Sequence, residues 1–191
     1  GYAEADPTAD VEGLDAARKA TILASLAFNT RINLADVAVQ GITKIESADI
    51  DYAKQLGYSV KLLAVARDYG DEKGVNVRVH PVFLPSTHPL SNVNDVFNAV
   101  FIRGNAVGEL MFYGRGAGSL PTASAVVSDI VELSRSYLSG NKKMVGFTSE
   151  ERRKFCPIEE TDASYYVRLK VNDEPGVLGK IATAFGDSYV S

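Results

Sequence analysis

One cysteine, Cys156, stands in 191 residues, which excludes an internal disulfide framework and a cysteine-based zinc site and fits a reducing compartment, the cytoplasm by default. The two histidines, His80 and His88, have no clustered partners in the sequence, so no transition-metal site is expected. No apolar run approaches the roughly 20 residues that a membrane-spanning helix needs. The opening residues also lack the basic and hydrophobic regions of a signal peptide, so no membrane partner is expected. Charge of one sign is nowhere concentrated. The 20 basic and 24 acidic side chains are interspersed, the net charge is −4, and no broad cationic face is left for a phosphate backbone, which argues against nucleic acid as a partner. The chain opens on Gly1 rather than methionine and stops at Ser191 just after a helix-like stretch, so both ends are expected to be cuts within a longer protein.

What is present is enough for a core: 46% of the residues are hydrophobic. From Leu14 the pattern turns helical, with Leu14, Ala17, Thr21, Ala24 and Phe28 on related faces, and the helix is expected to end near Asn29. A second helix is expected over about 48–56, with Ser47 as N-cap, Asp49 and Asp51 in the first turn and Gly57 as a left-handed C-terminal residue. Val60 to Ala66 reads as a buried strand and YGDEKG as a turn. Val75, Val77 and Val79 then alternate as a half-buried strand does, so the pair forms a hairpin. After a loop holding Pro81, Pro85, His88 and Pro89 come two more paired strands, Asp95 to Ile102 and Ala106 to Tyr113, turning at Arg103-Gly104-Asn105.

Gly114-Arg115-Gly116-Ala117-Gly118 then leads into a long helix with Pro121 in its first turn and Gly140 at its close. A charged linker spans 141–164. Beyond it Val167, Leu169 and Val171 alternate as a strand, and Asn172 to Gly176 turns the chain into an apolar helix from Val177. The fold class expected is α+β: a mostly antiparallel sheet with helices packed on it, followed by a partial βα unit at the C-terminus.

The opening nineteen residues are the densest in chemistry. Glu4, Asp6, Asp10, Glu12 and Asp15 supply carboxylates, answered by Arg18 and Lys19. Asp15 and Lys19 are four apart at a helix start, so they share a face and could form a buried polar site in which the lysine relays protons. Glu4 and Asp10 could hold a cationic amino group on a small substrate. The alternative is that the acids complement the helix dipole and that Asp15 and Lys19 form an ordinary surface pair. The glycine loop has two readings as well. It offers backbone N–H groups and a helix N-terminus suited to an anion, or it is a tight strand-to-helix turn outside any βαβ unit. His88 reads as a hydrogen-bonded loop histidine rather than a base, and Cys156 as a bystander.

The run GYAEADPTADVEGLDAARK, with Tyr2, Asp6, Pro7, Asp10, Gly13, Asp15 and Lys19 at fixed intervals, closely resembles the signature of homoserine dehydrogenases. Pro85 through Leu90, Asn98-Ala99-Val100, the glycine loop and PTASAVVSDI are similar to the rest of that family's catalytic region, so the resemblance covers about residues 1–140. It implies NAD- or NADP-dependent interconversion of homoserine and aspartate 4-semialdehyde. Lys19 would be the proton donor and acceptor for the C4 oxygen, with Asp15 beside it. Glu4, Asp10 and Tyr2 would line the substrate pocket, and Gly116 and Gly118 would approach the cofactor. The family's nucleotide-binding domain, with its share of a metal site, would precede Gly1, so this chain alone would turn over little, and its own metal ligands are expected to be none. Dimers or tetramers are usual in such enzymes. Residues 165–191 resemble the first strand and helix of an ACT domain, an amino-acid sensor, which implies a threonine effector. Two other readings stand beside this one: a noncatalytic amino-acid-binding or oligomerisation module, which would not need a proton-relaying lysine, and an oxidoreductase for a related semialdehyde.

Overall fold

In the computed structural model, residues 6–140 and 152–190 are described. Two short helices open the chain, α1 (Thr8–Val11) and α2 (Leu14–Ala27), followed by the two-residue strand β1 (Ala38–Val39), helix α3 (Ser47–Gln55), strand β2 (Tyr58–Asp68), the single turn α4 (Gly70–Lys73) and strand β3 (Val75–Pro85). A hairpin of β4 (Phe97–Gly104) and β5 (Gly108–Arg115), the long helix α5 (Ser119–Leu138) and the helix α6 (Val177–Asp187) complete it. The class is the expected one, mixed helices and small, mostly antiparallel sheets.

The first sheet runs β1-β3-β2. β2 pairs antiparallel with β3 from Tyr58 opposite Pro85 to Asp68 opposite Val75, and β1 pairs parallel with β3 at Ala38 opposite Arg78. Its core is where α2 crosses the sheet. Ala17, Ala20 and Ala24 form a stripe of small side chains along one helix face, which lets the backbone approach Val75, Val77 and Val79 closely. Ile32 and Val37 close the cluster, and Leu62, Phe28 and Phe155 pack around it.

β3 departs from the half-buried strand expected. Asn76 (0% exposed) and Arg78 (8%) are buried along with the valines. Both edges of this strand are paired, and its polar face is satisfied internally: Asn76 Nδ2 donates to the Cys156 carbonyl (2.8 Å) and Arg78 donates to Asn76 Oδ1 (2.6 Å). The partner of Asn76 comes from the stretch expected to be linker. Residues 152–161 form a strap beside β3. Val75 N–H donates to the Lys154 carbonyl (3.0 Å), Cys156 N–H to the Val75 carbonyl (2.8 Å), and Arg153 N–H to Thr30 Oγ1 (2.9 Å). The Arg153 guanidinium grips both oxygens of Asp68 at 2.8 Å, and this hydrogen-bonded cation holds the Asp68 carboxyl below the usual carboxylate range. The part of that linker at 141–151 lies outside the described residues.

Smaller differences have local causes. The second helix starts one residue early, at Ser47, because Glu46 rather than Ser47 is its N-cap: the first-turn Asp49 carboxylate accepts the Glu46 N–H at 2.9 Å, one half of a capping box. The second hairpin turns at residues 105–107, two residues later than expected. The three-residue loop is followed by Gly108, the first residue of β5, at φ +70°, a conformation that favours glycine. α5 follows its pattern, yet none of its residues is buried. Residues 162–174 contain no assigned strand, because no described strand lies alongside them to complete a ladder.

That extended segment is nevertheless anchored. The Tyr166 ring stacks on Phe83 with centroids 4.3 Å apart, and its hydroxyl donates to Asp49 (3.0 Å). Arg168 Nε donates to Asp49 Oδ1 (2.6 Å), and its terminal nitrogen pairs with Glu46 (2.7 Å). Arg168 holds the nearly buried Asp49 carboxyl below its ordinary range, while loss of water and the neighbouring carboxylate push the Tyr166 phenol up.

Candidate active site

The acidic opening folds into an elbow. Asp6 accepts both the Thr8 N–H (3.0 Å) and the Thr8 hydroxyl (2.6 Å), which starts the single turn α1 after Pro7 and holds the Asp6 carboxyl low. Asp6 is thereby committed to the backbone. α1 and α2 meet at Gly13, which sits at φ +78° in the left-handed region. A Cβ there would lie 2.9 Å from Val79 Cγ1 and 3.4 Å from Val39 Cγ1, so the elbow rests directly on β3 and β1 with no room for a side chain. The Gly13 carbonyl then accepts the Ala17 N–H (3.0 Å), and α2 begins.

This places Asp15 in the first turn of α2, where a carboxylate complements the helix dipole, and Lys19 one turn further on the same face. The two are joined by an ion pair of 2.5 Å. The pair is open, with the lysine side chain 66% and the aspartate 39% exposed, which corrects the expectation of a buried polar site. The cause is simple: the face of α2 that enters the core carries Ala17, Ala20 and Ala24, and Asp15 and Lys19 project elsewhere. Asp10 lies in α1 on the other side of the elbow, exposed, with no ion-pair partner among the described residues. Glu4 and Tyr2 lie outside the described residues.

One supporting residue escaped the sequence reading. Gly41 passes behind the elbow so closely that a Cβ would fall 2.4 Å from the Val11 carbonyl oxygen and 2.5 Å from Glu12 Cα, and the next residue, Ile42, donates its N–H to the Val11 carbonyl (2.8 Å). The available signal was an isolated glycine following a short apolar run, which marks close backbone approach.

The glycine loop has a structural occupant on one side. A Cβ on Gly116 would meet the Asn98 side chain at 2.1 Å, so this glycine makes room for the amide that β4 sends under the loop. Gly118, at φ +117°, turns the chain into α5, and nothing comes within 4 Å of a Cβ on Gly114. An anion could therefore approach from the Gly114 side and the N-terminus of α5, not through the face of Gly116 that Asn98 fills.

Both histidines are hydrogen-bonded within the chain. His88 accepts the Leu90 N–H through Nδ1 (3.2 Å) and packs on Phe101 with ring centroids 4.8 Å apart. His80 meets Arg78 through Nε2 (3.2 Å) and the Pro81 carbonyl through Nδ1 (3.0 Å). No group of three or more potential metal-binding side chains occurs among the described residues. A shallow hollow of about 350 Å³ lies between α3 and the extended segment, walled by Tyr52, Leu56, Tyr166 and Leu169, and no residue of the elbow lines it.

Comparison with known proteins converges on one family. A family model described as homoserine dehydrogenase matches residues 1–131. The homoserine dehydrogenase of Corynebacterium glutamicum is 46% identical over 194 residues, an alignment that takes in 100% of this chain and 43% of that protein. The crystal structure of a homoserine dehydrogenase from Thiobacillus denitrificans superposes with a TM-score of 0.88 at 39% identity, covering 98% of this chain and 44% of the other. A hyperthermophilic archaeal homoserine dehydrogenase in complex with NADPH superposes with a TM-score of 0.55 at 32% identity, over 70% of this chain and 36% of that one. The chain thus spans less than half the length of these relatives. The glycine-hinged elbow carrying Asp10, Asp15 and Lys19, together with a family match over more than half its residues, places this chain in the homoserine dehydrogenase family.

Proposed function

We propose that the protein carrying this chain interconverts homoserine and aspartate 4-semialdehyde, and that the elbow is its substrate site. The Asp15–Lys19 ion pair at 2.5 Å carries this reading. Reduction of an aldehyde builds negative charge on the C4 oxygen, and an ammonium beside that oxygen stabilises the charge and delivers the proton. Lys19 is that ammonium. Asp15 fixes its position from one turn away. Asp10 and Glu4 supply carboxylates for the substrate's amino group, with Tyr2 beside them. A bound nicotinamide, NAD or NADP, would supply or accept the hydride. Toward that group this chain contributes the Gly114–Gly118 loop, with Gly116 and Gly118 as its contacts and Gly116 also making room for the Asn98 side chain.

Several further features support the fuller reading. The apolar side chains of β5, Phe112 at 62% exposure among them, suit burial against a second subunit in a dimer or tetramer. The Asn172–Gly176 turn leading into α6, with Gly176 in the left-handed region, suits the effector turn of an ACT domain and hence control by threonine. A single, buried cysteine suits a reducing cytoplasm, and no helix among the described residues is long and apolar enough to cross a membrane.

The test is homoserine oxidation by the complete gene product, followed through the nicotinamide absorbance with NAD and NADP compared. Lys19→Ala and Lys19→Met should lower kcat by about 10² to 10⁴ with little change in cofactor affinity. Undiminished turnover in these variants overturns the assignment of the proton carrier.

A further inference from the structure

Arg168 belongs to the C-terminal segment, but its contacts lead back to the elbow. Its guanidinium bridges the carboxylates of Asp49 (2.6 Å) and Glu46 (2.7 Å), and no other cation pairs with either among the described residues. Tyr166 seats the same segment by stacking on Phe83 and by donating to Asp49. Glu46 ends a short loop whose other end is Gly41. Within that loop Ile45 N–H donates to the Ile42 carbonyl (3.0 Å), and Ile42 N–H donates to the Val11 carbonyl (2.8 Å), two residues before the hinge Gly13. Gly41 itself lies against the backbone of Val11 and Glu12. The elbow is consequently held between two supports: Val79 and Val39 on the sheet side, and the 41–46 loop behind.

We infer that Arg168 is a positioning residue for the elbow, acting by holding Glu46 and Asp49 together so that the 41–46 loop stays pressed against Val11 and Glu12. The Glu46 N–H already donates to the Asp49 carboxylate (2.9 Å), and Arg168 adds the counter-charge; without the guanidinium, the two carboxylates three residues apart at the start of α3 face each other unneutralised. Their repulsion pushes the loop outward at its Glu46 end. That movement passes along the 41–46 loop, through the Ile45–Ile42 hydrogen bond, to the hydrogen bond that Ile42 donates to Val11. The functional half of this inference rests on the elbow being the substrate site; the mechanical half does not.

The experiment separates the two. Amide hydrogen exchange is measured on the complete gene product and on its Arg168→Ala variant, at Ile42 and Gly13 and, for reference, at Val77 in the sheet. Exchange at Ile42 should rise about tenfold with Val77 unchanged. In the same preparations the homoserine KM should rise about fivefold with kcat within about twofold, the pattern of a displaced binding surface rather than a lost proton donor. An unchanged Ile42, or a rise shared equally by Val77, overturns the link. If Arg168→Ala does not fold, Arg168→Lys retains the charge but cannot span both carboxylates. A smaller, selective rise at Ile42 in that variant supports the inference, and no rise overturns it. A selective rise at Ile42 with an unmoved KM, in an enzyme that Lys19→Ala silences, overturns the positioning role and leaves the site reading intact. If Lys19→Ala proves harmless, the site reading falls, and exchange at Ile42 still decides whether Arg168 braces the loop.

Discussion

The two β-hairpins of this chain are built alike and end differently. β2 and β3 are long, alternating and antiparallel, and so are β4 and β5. The first pair is covered by α2 on one face and bordered by β1 and the strap, and β3 becomes buried on both sides. In the second pair no side chain is buried, and the helix that follows, α5, shares that exposure. Pattern sets which elements form; what surrounds them decides which ones become core. The first hairpin has a core of its own, completed by the strap, whereas the second hairpin and α5 present apolar surface of the kind that subunits and neighbouring domains cover.

Substitutions can break that contrast or sharpen it. The largest effect is expected at the hinge: Gly13→Val forces a branched side chain into the left-handed region and against Val79, at a cost of about 3–5 kcal/mol, read as a large fall in the thermal midpoint. Val77→Ala, in the core beneath the covered hairpin, should cost about 2–3 kcal/mol in a denaturant titration. The same titration on Ile130→Ala, in α5, should move by less than about 0.5 kcal/mol for this chain alone. An equal loss at both positions would show that α5 is buried in solution and would erase the distinction. The ion pairs should divide along the same line. Asp68, held low by Arg153, favours the fold above the unfolded carboxylate pKa, and that contribution disappears as pH falls through the lower, folded value. Stability of the covered half should therefore be flat from neutral pH to about 5 and fall in acid below about 4. Asp68→Asn should blunt this acid limb, and Glu109→Gln, which removes the exposed pair with Arg103 on the second hairpin, should leave it untouched. At the alkaline end the sign reverses for Tyr166. Its phenol is raised in the fold, so its hydrogen bond to Asp49 helps below the ordinary tyrosine pKa and is lost as pH rises through the folded value.

Much of the architecture was legible from residue order. The helix from Leu14, both hairpins, the helix closed by Gly140 and the helix from Val177 follow from periodicity and from glycine and proline punctuation. The motif from Asp6 to Lys19 marked the elbow before its geometry was known. What escaped was long-range. Asn76 and Arg78 have the residue types of a solvent face, and only the strap, some eighty positions later in sequence, turns that face inward. Asp49 read as a first-turn acid because nothing near it announces the guanidinium of Arg168. The pair Asp15 and Lys19 was found by its spacing, but spacing says nothing about cover, and the pair is open. Val167, Leu169 and Val171 alternate as a strand does, and alternation does not supply a neighbour to bond with.

The strap at 152–161 has a consequence for synthesis on the ribosome. It completes the border of β3 and fills the space beside Asn76, and its backbone contact with Thr30 joins positions 123 residues apart. A nascent chain that has already emerged through α5 still carries an unsealed strand edge and a buried asparagine without its acceptor. Such an edge is a template for pairing with another chain. Translation pauses before Cys156, or truncation ahead of it, would lengthen that exposed interval, and aggregation during expression should rise sharply for pieces ending short of the strap.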